Sequence, residues 1–231
     1  MTQHIPDTHT LRARQGLLQG LEDDRSSVRL RAALAVGTNP DPQFIDTFID
    51  KLIERCAVEP DFSVRETLTW ALTRHPASLT VPVLVREVRS QCAQARGQAL
   101  HTLSKIGDRR AWPAITRALL ADADDEVARS AWRAAVVLVP EGEEGELAAV
   151  LSTQFGRGDR QTHLSLSRAL VALGDVISPV LRAATTDPDP GVRAHALATE
   201  RLSRDPDAGF EFAIEEAKRV VALGGAGTEG R

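Results

Sequence analysis

Asp189-Pro190-Gly191-Val192-Arg193-Ala194-His195-Ala196-Leu197 is a turn followed by the opening of an apolar helix, and its pattern returns along the whole chain. An Asp just ahead of a helix offers a side-chain oxygen to free backbone N–H groups and suits the positive end of the dipole. The same opening is found at Val28-Arg29 with Ala32, Val64-Arg65 with Leu68, and Ala95-Arg96 with Ala99. It continues at Val127 with Ala131 and, with Arg replaced, at Thr162-His163 with Leu166. Aligned on the second residue, the copies fall at positions 29, 65, 96, 128, 163 and 193, a period of about 33 residues. Such a period means a stack of supersecondary units, each burying its apolar face on its neighbours.

Each unit reads as two helices. An amphipathic segment precedes every Val-Arg helix: Leu11 to Leu21, Phe44 to Ala57, Val81 to Val88, Trp112 to Ala121, Glu144 to Phe155, and Ile177 to Ala184. Short acidic or Pro-containing turns join the two, at Asp23-Asp24, Pro60-Asp61, Asp122 to Asp125, and Asp187 to Pro190. Gly37, Gly107 and Gly174 stand where a left-handed helix terminator belongs. Phe210 to Leu223 reads as an unpaired capping helix. The expected organisation is a flexible tail over 1–9, a single repeat solenoid over 10–223, and a disordered tail over 224–231.

Tetratricopeptide repeats want Tyr and recurring Trp, and ankyrin repeats want Thr-Pro-Leu-His; neither pattern is present. Asp in the turn, Val-Arg opening the second helix and a Gly-Asp end, as at Ile106-Gly107-Asp108, resemble HEAT-like repeats of the short kind found in bacterial proteins. The resemblance covers about residues 10 to 205 and implies an all-α, right-handed α–α superhelix of about six helix pairs plus the C-terminal cap. It also implies that Arg29, Arg65, Arg96 and Arg193 form a structural ladder, each pairing with a turn Asp of its own or a neighbouring repeat.

Composition agrees with helices packed closely through small side chains. There is no Tyr, 4% of residues are aromatic, and the core must come from Ala, Leu and Val. No apolar run is long enough to span a bilayer, and Met1 to Thr10 do not read as a secretion signal. Cys56 and Cys92 lie in different repeats and make no disulfide framework, so a cytoplasmic location is expected. The net charge of −4 argues against generic nucleic-acid binding.

No catalytic motif emerges, and neither a metal nor a cofactor is expected. The six histidines form no His-x-x-x-His or His-Glu pair, which excludes a zincin and argues against the di-iron hydroxylases built on HEAT repeats. Asp122, Asp124, Asp125 and Glu126 are spaced somewhat like a calcium loop but lack its Gly and distal Glu, and Glu141 to Glu146 reads as a solvated loop. No nucleophile elbow or phosphate loop occurs.

Advancing 100° per residue from the Val of each Val-Arg pair as zero, positions 0, 4, 7, 8 and 11 share the apolar face. Positions 2, 6, 9 and 10 face the other way, which in HEAT-like solenoids is the concave groove. Position 6 reads Leu34, Trp70, His101, Arg133, Arg168 and Ala198; positions 2 and 10 add Glu66, Arg129, Arg74 and Lys105. Trp132, at position 5, falls at the groove edge or between repeats. A basic stripe of Trp70, Arg74, His101, Lys105, Arg129, Arg133 and Arg168 around Glu66 suits an acidic protein segment or a phosphate backbone. The favoured expectation is a non-catalytic scaffold or adaptor for a protein partner. The alternative is a nucleic-acid-binding or repair protein, similar in architecture to HEAT-like alkylpurine DNA glycosylases, with Glu66 beside Trp70 as the nearest acid–aromatic pair. Similar repeats in bilin lyases add no supporting residue set.

Overall fold

The computed structural model describes residues 8–38 and 44–205, together with Ile214, Ala217, Lys218 and Val221. The expected tails over 1–9 and 224–231 fall mainly outside these residues, although Thr8 and His9 already belong to a helix. All described regular structure is helical, and the chain divides into two compact units, Met1–Ala114 and Ile115–Arg231.

In the first unit α1 (Thr8–Leu21) pairs with α2 (Ser26–Thr38), α3 (Ile45–Val58) with α4 (Phe62–Thr73), and α5 (Ala77–Glu87) with α6 (Ala93–Ile106). A 3-10 turn over Arg109–Ala114 closes it. In the second unit α7 (Arg117–Leu120) pairs with α8 (Asp125–Leu138) and α9 (Glu144–Ser152) with α10 (Arg160–Val171). There α11 (Ser178–Ala184), entered through a 3-10 turn over Gly174–Ile177, pairs with α12 (Pro190–Arg204). Second helices pack on second helices, α2 on α4 on α6 and α8 on α10 on α12, and first helices likewise on first helices. This is the expected stack of helix pairs.

The turns work as capping chemistry dictates. Asp61, Asp124 and Asp189 sit in extended backbone and each accepts from the N–H groups two and three residues on; Asp159 accepts from Thr162 N. Each cap is worth about 1 kcal/mol. Behind the caps the apolar face is fully enclosed, by Leu52, Leu68, Leu72, Leu100 and Leu103 in the first unit and by Trp132, Leu138, Leu151 and Leu166 in the second. Burying each Leu contributes about 1.5–3 kcal/mol.

Three local expectations need correction. Trp112 to Ala121 is not one helix: Pro113 has no N–H and disfavours helical backbone before it, so a 3-10 turn forms and α7 restarts on a Thr116 cap. Gly107 and Gly174 do terminate helices at φ 69° and 76°, but Gly37 does not. Gly37 lies inside α2 because α4 leaves no room, a Cβ there falling 2.5 Å from Trp70 Cζ3 and 2.8 Å from Ala71 Cα. Third, the ladder arginines reach the turns through backbone carbonyls, where the expected partner is an Asp carboxylate. Nη1 of Arg65, Arg96 and Arg193 donates to the carbonyls six and five residues back: Glu59 and Pro60, Ser90 and Gln91, Asp187 and Pro188. These carbonyls are left without helical partners where the first helix gives way to the turn, and the guanidinium fork satisfies two at once.

The expected capping helix Phe210 to Leu223 lies largely outside the described residues. Ile214, Ala217, Lys218 and Val221 are helical, and Ile214 and Ala217 are buried against Ala194, Ala198 and Leu202 of α12.

Candidate functional site

The recurring arginine is the first residue to place. Arg29 repeats the carbonyl contacts, to Asp23 O and Asp24 O, both at 2.8 Å, and adds a bidentate pair with Glu59 of the next repeat at 2.6 and 2.7 Å. Glu59, fully buried, also accepts from Arg55 Nε at 2.8 Å and from Asp61 N at 2.9 Å. Its own carbonyl receives Arg65 and, from the third repeat, Gln94 Nε2 at 2.9 Å. Burial alone would raise the Glu59 carboxyl, but the hydrogen bonds from Arg29, Asp61 N–H and Arg55 outweigh it and hold it down at about 2. Four donors to one carboxylate make this a structural joint across three repeats. Arg29 thus ties its turn to this joint, while Arg65, Arg96 and Arg193 hold the carbonyls of their own turns.

Position 128 carries Ala in place of the repeat arginine, and the missing guanidinium is supplied from the next repeat. Arg157 donates to Asp122 O, the carbonyl six residues before Ala128, and pairs with Asp125 at 2.8 Å. Position 163 carries His in place of Arg and meets a second imidazole. His163 stacks on His195 at 4.3 Å between ring centroids, with Phe155 edge-on to His195 at 5.0 Å. His195 Nδ1 accepts from Gly156 N at 3.1 Å, so the proton sits on Nε2, which faces His163 O at 3.0 Å and Ser167 Oγ at 3.1 Å. Burial, then the neighbouring His163, push His195 down to about 3, so the ring is neutral. Glu59, Gln94, Arg157 and His195 escaped the sequence reading because each acts across repeats. A weak signal existed for Arg157, an arginine in the turn after the one repeat with Ala at the arginine position.

The outward face of the second helices holds the sequence-predicted site residues except Arg129, and each unit presents its own set. In the first unit α2, α4 and α6 bring Leu34, Glu66, Trp70, Arg74, His101 and Lys105 to corresponding positions. Leu34 and Trp70 are large apolar residues with 41% and 39% of their surface exposed. The Trp70 indole reaches over Gly37, so the apolar surface runs from α4 onto α2. Arg74 and Lys105 are exposed and make no ion pair among the described residues, whereas Glu66 lies 3.2 Å from His101 Nε2. The Glu66 side chain is 42% exposed, and Trp70 is the one aromatic at these positions; they do not form an acid enclosed among aromatic rings.

In the second unit Arg133 and Arg168 are exposed, at position 6 of α8 and α10, Arg133 donating to Ser130 Oγ at 3.1 Å. Arg129 does not join them. It is 8% exposed and bound to Glu126. The Asp159 carboxyl at the start of α10, lowered chiefly by its hydrogen bonds from Thr162, is lowered further by the Arg129 charge. Ala198 is fully buried beneath the C-terminal helical residues, so position 6 of α12 is also closed. Trp132 is fully buried, its Nε1 donating to Leu120 O at 2.8 Å. The calcium-like acids have other work: Asp122 accepts from Asp124 N, Asp124 caps α8, Asp125 holds Arg157 and Glu126 holds Arg129.

Residues 49–135, from within α3 to within α8, match the family model described as HEAT repeats. A search of curated proteins finds no match to this chain.

Proposed function

Since this chain is a HEAT-like repeat protein, we propose that it is a non-catalytic scaffold that holds a protein partner on the outward face of its second helices. One observation carries the reading: Leu34 and Trp70 stay 41% and 39% exposed on a face that also presents Arg74 and Lys105, two cations without an ion pair among the described residues. Large aromatics with cations at their edge are the residues that dominate protein interfaces, and a folded chain gains nothing by leaving them in water. Glu66, one turn before Trp70 on α4, is open to water and lies 3.2 Å from His101 Nε2, an arrangement that suits binding over turnover. No described helix is long and apolar enough to cross a membrane. The reading places the protein in the cytoplasm, consistent with two cysteines that stay free thiols.

A pull-down from the source cells, with and without nuclease, tests this on the wild type and on two double variants, Trp70→Ala with Arg74→Glu and Arg133→Glu with Arg168→Glu. A protein recovered after nuclease and lost in the first variant is the expected result. Loss in the second variant alone moves the site to the other unit. Recovery of nucleic acid only, abolished by nuclease, overturns the scaffold reading in favour of nucleic-acid binding.

A further inference from the structure

We infer that the α2–α4–α6 face receives an amphipathic helix of the partner, with an apolar stripe at i, i+3, i+7 spacing flanked by carboxylates; this rests on the scaffold reading above. The chain itself shows what this kind of face accepts. In the second unit, positions 2, 6 and 10 of α12 are Ala194, Ala198 and Leu202, and helical residues Ile214, Ala217 and Val221 lie on them. Leu164 and Val171, positions 2 and 9 of α10, close over the same cluster. So a helix presenting apolar residues at i, i+3 and i+7 is the natural occupant of this register on the second helices.

The corresponding positions of the first unit have the same apolar centre but stay open to water and are differently charged. Leu30, half-buried, and Leu34 on α2 and Trp70 on α4 form the apolar part. Arg74 and Lys105, at position 10 of α4 and α6, make no ion pair among the described residues, while the acid at position 2 of α4, Glu66, is single and lies 3.2 Å from His101 Nε2. The uncompensated charge is positive, so carboxylates beside the apolar stripe gain charge-assisted contacts and basic residues are repelled. Position 10 of α12, by contrast, is the apolar Leu202, which fits the all-apolar contact seen there.

The test places p-benzoylphenylalanine at Thr38 or Ser104, which flank the patch at position 10 of α2 and position 9 of α6, in the full chain. A control carries it at exposed Ser78 on α5. After irradiation in source-cell lysate, the cross-linked partner peptide is sequenced. The inference requires cross-links from both face positions to one acidic segment with i, i+3, i+7 apolar spacing, absent at Ser78, with the yield falling about tenfold in Trp70→Ala. A cross-link to a basic or non-amphipathic segment overturns the helix assignment but leaves the scaffold standing. Nucleic acid, or no adduct above the Ser78 control, overturns both.

Discussion

Glu59 illustrates how a buried charge becomes the tie between repeats. Its carboxylate has no exposure to water and is held by Arg29, Arg55 and Asp61 N–H, so removing it leaves Arg29 buried and half-partnered. Glu59→Ala is expected to destabilise the first unit by about 3–5 kcal/mol in urea unfolding, well beyond the loss from exposed Glu54→Ala. A cost under about 1 kcal/mol would show that the joint is dispensable. Gly37 is the second residue with a sharp expectation. Gly37→Ala pushes a methyl into the Trp70 ring, where the Cβ site is 2.5 Å from Cζ3. It should cost about 1–3 kcal/mol and shift the Trp70 emission to the red, against a Trp112→Phe, Trp132→Phe background. An unchanged emission would mean that the indole does not lie over α2.

Among the elements, the turn between the helices of a pair needs a guanidinium, and the chain has two ways to provide one. Arg65, Arg96 and Arg193 serve the turns before their own helices, while Arg157 serves the α7–α8 turn from the repeat after it. Arg157→Ala should therefore destabilise the second unit by about 1–3 kcal/mol, as an orphaned carbonyl and the bond to Asp125 are lost together. Introducing Ala128→Arg into that variant restores the guanidinium in the position used elsewhere. A double-mutant cycle should show a favourable coupling of about 1 kcal/mol, whereas strict additivity would refute the substitution of one arginine for the other. The 3-10 turn at Arg109–Ala114 is likewise an element-level outcome: Pro113 is a local veto that no packing gain overrode.

For the whole molecule, pH should act on the two units through different groups. His195 is neutral in the fold and pushed down to about 3, whereas the unfolded chain takes up that proton below about 6.5. The stabilisation is complete above about pH 6.5 and falls as pH drops toward 3, by a few kcal/mol at ~1.4 kcal/mol per unit. His163, also lowered by burial, adds to it. In the first unit His75, lowered by burial alone, acts in the same direction, and Glu59 follows below the usual carboxylate range, its contribution vanishing as pH falls from 4.5 toward about 2. Hydrogen exchange at pH 4.5 against pH 7 should show α10 and α12 losing protection more than α3 and α4. His195→Gln, which can still accept from Gly156 N–H, should flatten the change in α10 and α12. An equal loss in wild type and variant would place the acid sensitivity elsewhere.

The features legible along the chain are local and periodic. Asp caps at Asp61, Asp124 and Asp189, the apolar positions 0, 4, 7, 8 and 11, and the period of about 33 residues were enough for helix pairs in a stack, because capping and burial recur within each unit. The same periodicity placed Trp70, Arg74, Lys105, Arg133 and Arg168 on the outward face, since facing is a matter of angle along one helix. Whatever depends on a neighbour was settled by packing. Gly37 reads as a terminator until α4 is laid against α2, and Arg129 reads as outward until burial and Glu126 claim it. Ala198 is outward by angle but buried by a segment some 16 residues further along. Glu59, Arg157 and His195 each join one repeat to another through a partner some 30 to 40 residues away in sequence, at a separation set by the stacking of one helix pair on the next, and that partner leaves no mark in their own repeat.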